Sequence, residues 1–77
     1  MTPLTRICLL PRSLSPYAET TVLHEWPGHL PFIPVGGYLE AGGRAWRVRY
    51  YTIMVDEERG EVIQEFVVQD AAEEVHI

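Results

Sequence analysis

The sequence has no lysine; all six of its basic residues are arginine. It has one cysteine, Cys8, so no disulfide can form within the chain. A lone cysteine also argues against a secreted, oxidising setting, where chains of this size are usually cross-linked. No apolar run approaches the roughly eighteen residues needed to span a bilayer. The N-terminal run Ile7–Leu10 is cut by Pro11, which leaves too little apolar length for a signal peptide. These absences predict a cytoplasmic chain with no membrane contact. A glycine-rich loop opening a helix, of the kind that cradles phosphates, is missing as well, and no glycines flank a serine in the manner of a nucleophile elbow.

What is present fits one small domain spanning residues 1–77, with an ordered core over about 4–69 and an acidic tail at 70–77. A chain of 77 residues buries only about 60% of the surface its unfolded form exposes, so its core is small and its stability margin thin. The composition, 47% apolar and 22% charged, is that of a globular protein. The net charge of −5 is unevenly spread. Residues 1–43 sum to −1, residues 44–51 carry +3 from Arg44, Arg47 and Arg49, and residues 52–77 carry −7.

Taken in order, Thr5–Leu10 is short, apolar and bounded by prolines, which predicts a first strand. Pro11–Pro16 is a connector. Ser15-Pro16 could open a helix, but Thr20, Thr21 and Val22 are consecutive β-branched residues that lose side-chain freedom there, so a strand over about Glu19–Trp26 is favoured. Three prolines between Pro27 and Pro34 make the next stretch irregular, with Phe32, Ile33 and Val35 expected to tuck under it and close one end of the core. Tyr38-Leu39-Glu40 and the long run Arg44–Val55 flank a turn at Ala41-Gly42-Gly43, a hairpin signal. Asp56–Gly60 is a charged turn, and Val62–Gln69 is a last strand. Along the long strand Trp46, Val48 and Tyr50 point one way, and Arg47, Arg49 and Tyr51 the other. At Tyr50-Tyr51 the alternation breaks down: either both faces are buried beyond it, or a bulge moves Ile53 and Val55 to the core face. The fold class expected is all-β, a small, partly open barrel of about five antiparallel strands.

Val35, Gly36, Leu39, Gly43, Trp46 and Val48 sit in places comparable to those of a hairpin common in SH3-like barrels, with Gly37 where an acidic residue is usual. The chain therefore resembles a small SH3-like β-barrel, closely over about fifteen residues and loosely over 5–69. The resemblance implies a fold whose members bind proteins, peptides, RNA or DNA; it carries over no catalytic residue.

His24-Glu25-Trp26-Pro27-Gly28-His29 has the wrong spacing for the helical zinc motif, and Pro27-Gly28 interrupts any helix. With His76 the histidines are expected as solvated strand and loop residues, with no metal and no cofactor. Cys8 among Ile7, Leu9 and Leu10 is expected to be buried and unreactive. No catalytic residue is expected. The candidate binding residues are Arg44, Arg47, Arg49 and Tyr51 on the long strand, with Trp26 and Phe32 beside the proline-rich loop. Arginines interleaved with an aromatic can hold single-stranded nucleic acid. Three phosphate contacts, however, would weaken only about 40-fold between 50 and 200 mM salt, and the acidic C-terminal third opposes a polyanion. Solvation or cross-strand pairing to Glu40, Glu61 or Glu65 is the simpler role for the arginines. The function expected is a non-catalytic protein-interaction module whose partner is another protein or a second copy; nucleic-acid binding through the Arg/Tyr face is the alternative. Trp46 is read as core.

Overall fold

The computed structural model describes residues 1–11 and 21–74, the side chains of the last two excepted. The first strand, β1, covers Thr2–Leu9; β2 is Thr21–Pro27, β3 Tyr38–Ala41, β4 Arg44–Asp56 and β5 Glu61–Asp70. A short 3-10 turn, Ala71–Glu74, follows β5. The segment Glu19–Trp26 is thus a strand where it is described. The serines of the Pro11–Pro16 connector, His76 and the edge pairing considered for Val75 and Ile77 lie outside the described residues.

The five strands form one curled sheet in the order β2-β1-β5-β4-β3, a half-barrel of all-β architecture. All neighbours are antiparallel except β1 and β5, which run parallel from Thr2↔Glu61 to Leu9↔Val68. The expectation of an all-antiparallel barrel is corrected at this pair. Its origin is the connection 28–37, which carries the chain from one outer strand, β2, to the other, β3. The last two strands then fill the sheet inward by hairpins, and β5 meets β1 in the same direction. The β3–β4 turn is made by Gly42 and Gly43, both with positive φ (62° and 75°), as tight hairpins require. A Cβ on Gly42 would lie 3.1 Å from His24 Nε2, so β2 reaches the β3–β4 turn and the sheet nearly closes at that end.

The core lies in the concavity. Ile7, Leu39, Trp46, Val48, Phe66 and Val68 are buried together, with Leu9, Leu23, Trp26, Leu30, Ile33, Ala41 and Tyr51 packed around them. Trp46 is core, as expected, and its indole N–H donates to the Ala41 carbonyl at 3.0 Å. Of the three residues expected beneath the proline-rich connection, only Ile33 turns inward; Phe32 and Val35 are 67% and 62% exposed.

The long strand resolves its ambiguity by a bulge. Val48 pairs with Val68 but Tyr50 with Val67, leaving Arg49 as the extra residue. Tyr51, Ile53 and Val55 thereby come opposite Phe66, Gln64 and Val62 and share their face. Truncating Trp46 to alanine is expected to cost about 3–5 kcal/mol, read as a fall in the denaturant midpoint with far-UV dichroism as probe; an unchanged midpoint would contradict its place in the core.

Candidate functional site

The bulge decides which candidate side chains can act together. Before it, Arg47 points to the convex side of the sheet; Tyr51, after it, points into the concavity, where its ring meets Phe66 at 5.0 Å and Phe32 at 5.1 Å between centroids. The expected stripe of Arg44, Arg47, Arg49 and Tyr51 on one face does not form: the inserted residue turns Tyr51 away from Arg47 and Arg49, and Arg44, an even-numbered residue before the bulge, shares the face of Trp46. Each arginine also has a local partner. Arg44 pairs with Asp70 at 3.1 Å. Arg47 donates to the Gly36 carbonyl at 2.9 Å and to the Tyr38 hydroxyl, and lies 4.4 Å over the Tyr38 ring. Arg49 donates to Gln69 Oε1 at 3.2 Å. Trp26 is half-buried against the core.

The concave face offers a different constellation. Phe32 is exposed on top of the half-buried Tyr51, and Ile53 and Val55 continue the same row along β4, exposed by 48% and 56%. This makes an apolar ledge, continuous with the core through the Phe32–Tyr51–Phe66 ring contacts.

What holds Phe32 there is a polar residue that sequence reading passed over. Gln64 is 3% exposed. Its amide pairs with the backbone of Leu30 in both directions, accepting from the Leu30 N–H at 2.8 Å and donating to the Leu30 carbonyl at 2.9 Å. The same Nε2 lies 3.3 Å from the Tyr51 hydroxyl. The buried Thr5 shares its one proton between the Gly28 carbonyl at 2.6 Å and Gln64 Oε1 at 3.0 Å. A loop interrupted by Pro31 and Pro34 cannot form a ladder, so one side chain supplies the pairing that a neighbouring strand would have given. The only signal in the sequence is a glutamine in register with Phe66 and Val68 on an otherwise apolar face.

The convex face carries an ion-pair row. Arg6 donates to Glu25 at 2.9 Å and lies 3.8 Å from Glu65, and its pKa is raised, chiefly by the Glu25 hydrogen bond. Beside it Cys8 is 1% exposed, and burial, reinforced by the Glu65 carboxylate, pushes its thiol up to about 11. A thiol so held is mostly un-ionised at neutral pH and a poor nucleophile. An open depression near the β4–β5 turn is lined by Arg6, Met54, Asp56, Glu57, Glu58 and Ile63. Among the described residues no group of three or more His, Cys, Asp or Glu side chains is placed to hold a metal ion. His29 meets the Val62 carbonyl at 2.9 Å, and His24 lies against the β3–β4 turn. No described helix is long and apolar enough to cross a membrane. No protein-family model, curated protein or solved structure matches the chain.

Replacing Gln64 by alanine strands both backbone groups of Leu30, a loss expected to cost about 2–3 kcal/mol. It should also free the loop, so that a fluorine probe on Phe32 gains mobility. A midpoint within experimental error of the parent's would refute the clamp. Because the folded state holds Cys8 as the neutral thiol, its contribution to stability is complete below the ordinary thiol value of 9.0 and is lost as pH rises through about 11. Cys8→Ala removes a buried side chain and so shifts the melting temperature at every pH. The check is that the parent's melting temperature falls relative to the variant's as pH rises from 9.0 to about 11, and that the difference is constant below 9.0.

Proposed function

We propose that the chain is a non-catalytic protein-interaction module of the SH3-like small-barrel type, working in a reducing compartment such as the cytoplasm. The observation that carries this reading is the apolar ledge of Phe32, Ile53 and Val55. A large side chain offers about 150–250 Å² in full, so at these exposures of 67%, 48% and 56% the three present on the order of 300 Å² of apolar surface. A chain with a thin core gains nothing for its own stability by leaving such residues in water. Contact with another polypeptide is the role that uses them. The separation of Tyr51 from the arginines of β4 favours this reading over nucleic-acid binding through an Arg/Tyr face.

The test is binding by the full-length chain, immobilised and offered both a tagged second copy and extract from its own cell. Phe32→Ser and Val55→Ser are expected to melt as the parent does while losing about tenfold or more in retention of the protein captured, the scale of one lost 1.4 kcal/mol contact. Retention of single-stranded RNA at low salt, unaffected by those two changes and abolished by Arg49→Glu, would overturn the reading in favour of nucleic acid.

A further inference from the structure

The second half of β4 is an edge. Strand β3 pairs only with Arg44–Arg47, and the loop adds one more exchange, Gly36 N–H to the Val48 carbonyl at 2.8 Å and Val48 N–H to the Gly37 carbonyl at 2.9 Å. From Tyr50 to Asp56, among the described residues, nothing pairs with β4 on the side away from β5.

Which backbone groups this edge offers follows from the register. Val48 turns both its N–H and its carbonyl away from β5, so Val48↔Val68 is a non-hydrogen-bonded pair of the β4–β5 ladder. Stepping two residues at a time along β5 gives Phe66, Gln64 and Val62, whose partners are Tyr51, Ile53 and Val55. These three residues therefore aim their N–H and carbonyl groups at the open edge while their side chains stand on the concave ledge.

Natural edges are usually guarded by charge, proline or shortness. Strand β3 has four residues, including Glu40, and β2 carries Glu25 and ends at Pro27. Residues 50–55, Tyr-Tyr-Thr-Ile-Met-Val, contain no charge, proline or glycine. Charge instead brackets the stretch: Arg47 and Arg49 precede it, and Asp56, Glu57 and Glu58 follow it.

We propose that this edge pairs with the same edge of a second copy, antiparallel about a two-fold axis at Ile53. In that register Ile53 meets Ile53 and Tyr51 meets Val55, so every residue offering outward groups finds another that does. The basic end of the stretch in each copy, Arg47 and Arg49, comes beside the acidic end of the other, Asp56, Glu57 and Glu58, a charge complementarity formed twice by symmetry. Sliding by two residues either way keeps the faces matched but costs one of the three its partner: one direction leaves Val55 opposite the bulge residue Arg49, the other leaves Tyr51 opposite Glu57 in the β4–β5 turn. The strand is thus complementary to itself in one register. The ledge and one strand edge fall short of the roughly 800 Å² per partner of a standard interface, so the dimer is weak and concentration-dependent.

The inference rests on the reading of the chain as a protein-interaction module, and the two fail differently. Sedimentation equilibrium of the full-length chain from micromolar to millimolar concentration is expected to show monomer and dimer in exchange. The amides of Tyr51, Ile53 and Val55 should gain protection from hydrogen exchange as concentration rises. Ile53→Lys, at a position already 48% exposed, should weaken association by about tenfold or more, because it sets like charges directly opposite each other. Arg49→Glu should weaken it too, and Arg49→Glu combined with Glu57→Arg should restore it; thermal melting of each variant verifies folding. A chain that stays monomeric to millimolar concentration, or a dimer indifferent to Ile53→Lys and not restored by the charge swap, overturns the self-pairing. Should that monomer still bind another protein and lose it on Val55→Ser, the module reading stands alone; should it bind none, both fall.

Discussion

The position of one inserted residue, Arg49, governs what every side chain after it can do. Before the bulge, even-numbered residues of β4 enter the core; after it, odd-numbered ones face the concavity. A strand in strict alternation would bury Tyr50 and turn Tyr51, Ile53 and Val55 out among the arginines. The insertion instead brings Tyr51 against Phe66 and gives the core its aromatic continuation. It also leaves Ile53 and Val55 on the concave side, past the point where β3 has ended. The same residue that completes the core therefore creates the surface beyond it.

The second constraint is the passage of the chain across the sheet. Joining β2 to β3 takes the backbone from one outer strand to the other, and prolines deny that backbone a ladder of its own. Gln64 and Thr5 answer with side-chain hydrogen bonds to Leu30 and Gly28. Burying an amide costs free energy unless it is paired, and here both ends of it are paired. Fixing Leu30 sets Phe32 over Tyr51, so the buried polar cluster and the exposed apolar ledge are one arrangement viewed from its two sides. The convex face has the opposite character: Arg6 lies between Glu25 and Glu65, and Arg47 and Arg49 rest on neighbours. Exposed pairs of this kind add little stability.

The sequence by itself determined the number and approximate limits of the strands, the Gly42-Gly43 hairpin, the burial of Trp46 and Cys8, and the all-β class. Each of these follows from local chemistry: β-branched and aromatic runs, glycine where φ is positive, proline where a ladder must stop. It also marked Tyr50-Tyr51 as the place where alternation fails. Which way it fails was decided only by the partner strand, since a bulge exists as a mismatch between two strands and has no residue signature of its own. The parallel β1–β5 pair, the clamp of Gln64 on Leu30 and the separation of Tyr51 from the arginines belong to the same kind. They join residues far apart in the chain, and the free energy that selects among such pairings is that of the whole curled sheet closing over one small core.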